Sequence, residues 1–426
     1  MSTVQIAPAS ALRGAVSVPG DKSASHRALM VSALAEGTST IEGLSPGEDV
    51  AATSRIMVQL GAQRHDEHGL VTVLGPTGGL RASSESLECG NSGTTMRLVA
   101  GIVSGVAGRH HLVGDASLSR RPMDRVVTPL TLMGATLTGQ GSRVTAPLVI
   151  EGSDHLRSID YHVPVPSAQV KSAVLLAALR AVGHSVVHES VRTRTTTEDM
   201  LRHAGVTVHS IEVGEGRDVT ITPGRPAPVR WRIPGDPSQA AFFAVLGCIH
   251  DDAVIEVSSL DHARERVGFA RVLARMGGRV RLVDHGVDSE LHAASSQLEG
   301  TEIFAGEVPS VDEVPILAVA ASAARGVSAF RDMGELRVKE SDRFAATMEL
   351  ARVLGCRVWS EGDDFFIEGV ASARAFAPFS FDPGLDHRMV MSAAVAGTAG
   401  SGCEITGSTT VASSYPAFFD DLASLQ

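Results

Sequence analysis

The chain has few cysteines, no surplus of basic charge and no long apolar run, and each shortage removes a class of protein. Only four cysteines occur in 426 residues. Cys89, Cys248, Cys356 and Cys403 lie far apart without a CxxC pair, so neither a disulfide framework nor a zinc site is expected, and a reducing compartment suits them. Lys and Arg number 37 against 48 Asp and Glu, a formal net charge of −11. Nucleic-acid surfaces show a basic face or stripe, so no nucleic-acid partner is expected. No apolar stretch reaches about 18 residues without a polar interruption. The opening "MSTVQIAPASALRG" has no basic region followed by an apolar one, which points away from secretion and membranes and towards the cytoplasm. What is there is an ordinary globular composition, 43% hydrophobic and 20% charged, in a chain longer than one core usually serves, so two domains are expected.

The chain also repeats itself. Six Ala-rich helical runs, "SHRALMVSALAEG", "GTTMRLVAGIVSGVAG", "SAQVKSAVLLAALRAVG", "PSQAAFFAVLGCIHDD", "EVPILAVAASAARG" and "DHRMVMSAAVAGTAGSG", end in turns near Gly37, Gly108, Gly183, Asp252, Gly326 and Gly402. The unit therefore recurs every ~70–75 residues. Second helices, among them "SRIMVQLGA", "VVTPLTLMGA" and "FARVLARMGG", carry apolar residues at helical spacing before a glycine stop. Short alternating strands such as "LVTVLGP" and "DVTITPG" lie between, giving six mixed α/β units of βαβαββ type. "VSVPGDKS" recurs as "WRIPGDPS", with Asp21 and Asp236 about three units apart. The expected division is three units plus three: residues 21–235 form one domain, and 1–20 with 236–426 form the other. The chain would cross between them near 19–21 and 234–236, where Gly and Pro suit a hinge and equally a plain turn.

The starts of the Ala-rich helices are crowded with small, hydroxylated and charged residues. In "PGDKSASHR", Lys22, His26 and Arg27 stand where the helix dipole disfavours cations. Either an external anion sits there on free N–H groups, hydroxyls and the cations, or the helix is simply capped by Asp21 or Ser23 with Arg27 solvated. The loops before the second helices add cations in the same rhythm, in "GDASLSRRPMDR", "SVRTRTTTEDM" and "ELRVKESDR". Arg forks suit carboxylate and phosphate, and Lys supplies a point charge. Asp312 and Glu340 lie near such cations and are candidate proton carriers. They are equally readable as a helix cap and an ion-pair partner. His26 and His387 are open between structural and catalytic roles.

Taken in order, "PGDKSASHR", "GNSGTTMR", "LSRRPMDR", "PSAQVKSAVLLAA", "ELRVKESDR" and "DHRMVMS" resemble the signature segments of the 5-enolpyruvylshikimate-3-phosphate (EPSP) synthase family, over essentially the whole chain. The resemblance implies a two-domain inside-out α/β barrel, three units per domain. It implies transfer of the enolpyruvyl group of phosphoenolpyruvate to the 5-hydroxyl of shikimate 3-phosphate by addition and elimination, with no metal or organic cofactor and a monomeric enzyme. Lys22, Ser23, Arg27, Ser167, Gln169, Arg194, Asp312 and Lys339 are then expected around shikimate 3-phosphate. Lys22, Gly93, Arg121, Gln169, Arg343 and Arg388 are expected around phosphoenolpyruvate, with Lys22, Asp312 and Glu340 catalytic. Glyphosate is expected in the phosphoenolpyruvate site beside Gly93. The chain departs from many members at Ser413, where they carry a lysine, at Ala168, where they carry a second serine, and at Leu98, where they carry a proline. Two rivals stand beside this reading. The related transferase acting on UDP-N-acetylglucosamine carries a reactive cysteine in the loop matching "GDASLSRRPMDR", where this chain has none. A non-catalytic repeat scaffold would be expected to show a broad apolar or charged face.

Overall fold

A computed structural model describes residues 2–261, 266–286, 288–308 and 311–426. Its described residues form twelve α-helices. They are α1 (Lys22–Leu34), α2 (Glu48–Gln59), α3 (Gly93–Ser104), α4 (Asp124–Leu132), α5 (Ala168–Ala178), α6 (Thr196–His203), α7 (Pro237–Ile249), α8 (Gly268–Arg275), α9 (Val314–Ala323), α10 (Arg343–Val353), α11 (His387–Ala399) and α12 (Phe418–Ser424). The odd-numbered helices are the Ala-rich runs. Ala, Leu and Met favour helix, and with apolar residues on every side these helices are stable only when wholly covered. Every residue of α7, α9 and α11 is buried. Small residues allow them to approach closely: a Cβ at Gly101 of α3 would lie 2.3 Å from the carbonyl oxygen of Ala173 on α5.

Among the described residues the strands make five four-stranded sheets of one pattern, one of three strands and one of two, in which Leu156–Arg157 lies parallel to Ala181–Val182. In Leu87–Glu88, Gly108–Val113, Thr145–Gly152 and Thr136–Gln140, for example, the first pair is parallel and the rest antiparallel. The short first strand runs through α3 into its parallel neighbour, a crossover that a helix makes naturally. Two first strands are exchanged along the chain. Leu12–Val16, which precedes α1, pairs with Ala253–Leu260, and Arg230–Arg232, which precedes α7, pairs with Gly37–Glu42. In the three-stranded sheet Thr3–Ile6 lies antiparallel to Cys403–Thr406.

The chain forms two compact units, one of residues 1–21 with 234–426 and one of 22–233. Each has its own apolar core around three Ala-rich helices. Among the described residues, no helix is long and apolar enough to cross a membrane.

Candidate active site

In the 22–233 unit, the expected residues gather at the N-terminal ends of α1, α3 and α5 and the loops beside them. Lys22 opens α1, and its Nζ lies 3.1 Å from Asp49 Oδ2 on α2. Arg27, one turn on, is buried. It donates from Nε to Thr197 Oγ1 at 2.6 Å, from Nη2 to Ser172 Oγ at 2.9 Å and from Nη1 to the Ser23 carbonyl at 2.8 Å. Capping and site-building coexist at the neighbouring helices. Ser92 caps α3 by accepting from Thr95 N at 3.1 Å, and Ser167 caps α5 by accepting from Val170 N at 3.3 Å. A hydroxyl that accepts from the backbone still has its proton to donate. Gln169 accepts from Arg97 Nη1 at 2.9 Å and donates to Thr94 Oγ1 at 2.9 Å. Arg121, also buried, donates to Asn91 Oδ1 at 2.6 Å and Ser117 Oγ at 3.2 Å. Gly93 lies between the arginines: a Cβ there would be 2.7 Å from Arg97 Nη1 and 3.4 Å from Arg121 Nη1. Arg97 was not among the expected residues, although the quoted "GNSGTTMR" contains it. Arg194 lies on the loop between Glu189 and α6, with an intermediate exposure.

The other unit gathers Asp312, Lys339, Glu340, Arg343 and Arg388 around one buried guanidinium. Arg343, 1% exposed, reaches Asp312 Oδ1 at 2.9 Å, Glu340 Oε2 at 2.6 Å and both oxygens of Asp386 at 2.7 and 3.2 Å. Asp386 also caps α11, accepting from Arg388 N at 3.0 Å, and accepts a hydrogen bond from the Ser341 hydroxyl at 3.0 Å. Sequence reasoning missed Asp386, although it stands inside the quoted "DHRMVMS". Arg388 donates to Ser238 Oγ at 3.0 Å and lies 3.7 Å from Asp312 Oδ2. Burial opposes ionisation of Asp312, but Arg388, Lys339 and Arg343 outweigh it and hold the carboxyl below the usual carboxylate range. Burial pushes the Lys339 ammonium below the usual lysine value, with Asp312 working against that fall.

A second buried guanidinium joins the two PGD segments. Arg266 pairs with Asp21 and, at 2.9 Å, with Asp236 Oδ1. All three side chains are nearly inaccessible; burial disfavours the Arg266 charge, but Asp21, Asp236 and then Glu313 outweigh it and raise its pKa.

His26 is answered by its surroundings. It is buried, with Nδ1 2.7 Å from Thr53 Oγ1, and burial, helped by Lys22 and Arg27, lowers its pKa well below the usual value. These surroundings favour its neutral form. All four cysteines are free and buried. Burial pushes the thiols of Cys248 and Cys403 up to about 12 and that of Cys89 further still, which makes them poor nucleophiles.

Two surface groups bring metal-type ligand atoms within 4.8 Å of one another: Asp160, His162 and His188, and Glu256, Glu290 and His292. Neither contains an expected site residue. Both nitrogens of His188 are already engaged, by Asp218 at 2.7 Å and Asp160 at 3.1 Å. Although its burial works the other way, these carboxylates raise its pKa, and an ion-pair network accounts for the group.

Comparison with known proteins agrees across the chain. Residues 6–422 match the family described as EPSP synthase (3-phosphoshikimate 1-carboxyvinyltransferase). The chain is 38% identical to the 3-phosphoshikimate 1-carboxyvinyltransferase of Lactococcus lactis subsp. lactis (strain IL1403), covering 97% of each sequence, and 39% identical to that of Streptococcus sanguinis (strain SK36), with the same coverage. Among solved structures, EPSP synthase from Acinetobacter baumannii superimposes with a TM-score of 0.86 at 35% identity, over 99% of this chain and 98% of that one. An enolpyruvyl transferase from Streptomyces tendae shares the fold, with a TM-score of 0.76 at 19% identity over 99% of this chain and 96% of that one. With its six α/β units, its basic helix starts and this agreement along its length, the chain belongs to the EPSP synthase family.

Proposed function

We propose that the chain transfers the enolpyruvyl group of phosphoenolpyruvate to the 5-hydroxyl of shikimate 3-phosphate, releasing phosphate and forming 5-enolpyruvylshikimate 3-phosphate. The observation that carries the reading is the cluster at the starts of α9, α10 and α11, where Asp312 and Glu340 share Arg343 beside Arg388 and Lys339. It combines proton-transfer groups with anion-binding groups in one place. The proposed substrate-binding residues are Ser23, Arg27, Ser167, Gln169, Arg194, Asp312 and Lys339 for shikimate 3-phosphate, and Gly93, Arg121, Arg343 and Arg388 for phosphoenolpyruvate, with Lys22 and Gln169 serving both. Arg97 joins the second group through its bond to Gln169.

The chemistry divides between the two carboxyls. Glu340 delivers a proton to the methylene carbon of phosphoenolpyruvate as the 5-hydroxyl oxygen bonds to the neighbouring carbon. Asp312, which its cationic neighbours keep ionised, takes the hydroxyl proton. In the second half, Glu340 retrieves a proton from the new methyl group, the carbon–oxygen bond to phosphate breaks, and the proton on Asp312 leaves with phosphate. Lys22, Arg121, Arg343 and Arg388 stabilise the charge that grows on the departing group. The sum is one hydroxyl proton transferred to phosphate and one enolpyruvyl group moved.

The test is phosphate release from phosphoenolpyruvate with shikimate 3-phosphate as acceptor and UDP-N-acetylglucosamine as control. Release only with shikimate 3-phosphate is expected; release only with the sugar nucleotide would refute the assignment. The absence of cysteine from "GDASLSRRPMDR" and the burial of all four thiols count against the second acceptor. Monomeric operation in the cytoplasm belongs to the same proposal; sedimentation at assay concentration checks the monomer.

A further inference from the structure

The most deeply buried ionic group in the 22–233 unit lies outside the residues assigned so far. Lys171, on α5, places Nζ 2.8 Å from Glu189 Oε2 and 2.7 Å from Glu198 Oε1, and all three side chains are fully inaccessible. Glu189 ends the strand Ser185–Glu189, and Glu198 lies in the first turn of α6. The six residues between strand and helix, Ser190–Thr195, carry Arg194. One ammonium therefore ties down both ends of the Arg194 loop. The same ammonium belongs to a helix capped by Ser167, with Gln169 in its first turn.

The neighbouring bonds run the same way. The Thr193 hydroxyl donates to the second oxygen of Glu189, and Thr197, one residue before Glu198, accepts from Arg27 at 2.6 Å and lies 2.6 Å from Ser172 Oγ. Arg27, Ser167, Gln169 and Arg194 thus reach one another through α5 and the start of α6. Burying three charges is expensive, and a packed apolar group of similar size would often be as stable or more so. Stability is therefore a poor reason for the triad, whereas a fixed position for the loop is a good one.

We propose that Lys171 is a positioning residue for shikimate 3-phosphate: by pairing with Glu189 and Glu198 it sets the Arg194 loop against Ser167 and Gln169. The inference rests on the function proposed above and adds a residue that touches no substrate.

Two variants test it. Lys171→Met removes the clamp but leaves two buried carboxylates, so it is paired with the neutral triple variant Lys171→Met, Glu189→Gln, Glu198→Gln, which keeps the fold free of uncompensated charge. In a folded variant the KM for shikimate 3-phosphate should rise about tenfold or more, the loss expected when one charged contact is misplaced. The KM for phosphoenolpyruvate and the kcat at saturation should stay within about twofold of the parent. A fall in kcat with both KM values unchanged would indicate a merely structural role and overturn the proposal, as would unchanged kinetics. Amide exchange gives a readout independent of substrate: Ser190–Thr195 should exchange faster in the variants, and unchanged exchange refutes the clamp. Faster loop exchange in a protein whose parent never turns over shikimate 3-phosphate would sink the functional reading alone and support the clamp.

Discussion

Replacing Gly93 by alanine adds one methyl group at a point where the structure leaves it almost no room. Gly93 is the first residue of α3 and has no left-handed backbone angle, so alanine is tolerated by the chain itself and gains up to about 1 kcal/mol in helix propensity. The new Cβ would lie 2.7 Å from Arg97 Nη1 and 3.4 Å from Arg121 Nη1. An ordinary contact is about 3.5 Å, so the Arg97 guanidinium must retreat by roughly 0.8 Å. That shift, taken along its 2.9 Å bond to Gln169, would stretch it to about 3.7 Å, no longer a hydrogen bond. A charged hydrogen bond contributes about 1.5–3 kcal/mol, which corresponds to a ~10- to 150-fold weaker interaction. Gln169 is assigned to both substrates, so its displacement should raise the KM for phosphoenolpyruvate about tenfold, and loss of the bond, partly offset by helix propensity, should lower the midpoint of thermal unfolding by about a few degrees. The inhibition constant for glyphosate should rise further, because an added methyl group crowds the longer ligand first. Initial rates of phosphate release at saturating shikimate 3-phosphate measure both constants. A phosphoenolpyruvate KM within twofold of the parent, in a variant shown to be folded, would refute the steric argument. Equal weakening of substrate and inhibitor would refute its second half.

Lys22→Met should lower kcat by about a hundredfold or more, the usual loss for one well-placed transition-state charge, and near-parental turnover in a folded protein would remove Lys22 from the mechanism. Arg266→Met leaves Asp21 and Asp236 buried without their shared cation and should cost about 3–5 kcal/mol; a denaturant midpoint unchanged from the parent would contradict that. For Asp312 the pH dependence has a definite sign. Its folded pKa lies below the ordinary 3.8, so its ionised form contributes stability above that value and loses the contribution as pH falls through the folded pKa. The gap in unfolding temperature between the parent and Asp312→Asn should hold from neutral pH down to about 4 and narrow below it; a gap that widens in acid would reverse the assignment of charge. Lys339, whose pKa burial lowers, should bring the alkaline fall in activity below the ordinary lysine value of 10.5, and a limb unmoved in Lys339→Arg would exclude it as the source.

The repeat was legible because its period is written in composition: Ala-rich runs, glycine stops and short alternating strands recur whatever packs against them. The last unit was harder to read. Its second helix, α12 (Phe418–Ser424), has no glycine after it to mark a stop, and its sheet borrows Thr3–Ile6 from the far end of the sequence. Pairing across that separation leaves no local periodicity. The site divided in the same way. Cations at helix starts stood out because they oppose the dipole, so Lys22, Arg27 and Arg343 could be singled out. Asp49, Asp386, Glu189 and Glu198 look like ordinary charged residues until folding brings them against those cations or against Lys171. Capping at the helix starts is observed at Ser167 and Asp386, and it leaves their remaining hydrogen-bonding capacity for other partners.

Under the proposed assignment, the anion-binding arginines are held in place before any ligand arrives. Arg27, Arg121, Arg343 and Arg388 are all more than nine-tenths buried, and each is fixed by bonds within its own unit. Exposed pairs such as Arg109 with Glu151, 72% and 53% accessible, contribute little and hold nothing in place. A long side chain that must be ordered by its ligand costs about 0.5–1.5 kcal/mol on binding. The buried arginines have met that cost during folding, out of the apolar contacts made by the Ala-rich helices behind them. Carboxylates around Arg343 do more than neutralise it: three acceptors arranged about one planar fork fix its plane. Neutral acceptors do the same elsewhere: Thr197 and Ser172 hold Arg27, Asn91 and Ser117 hold Arg121, and Ser238 holds Arg388.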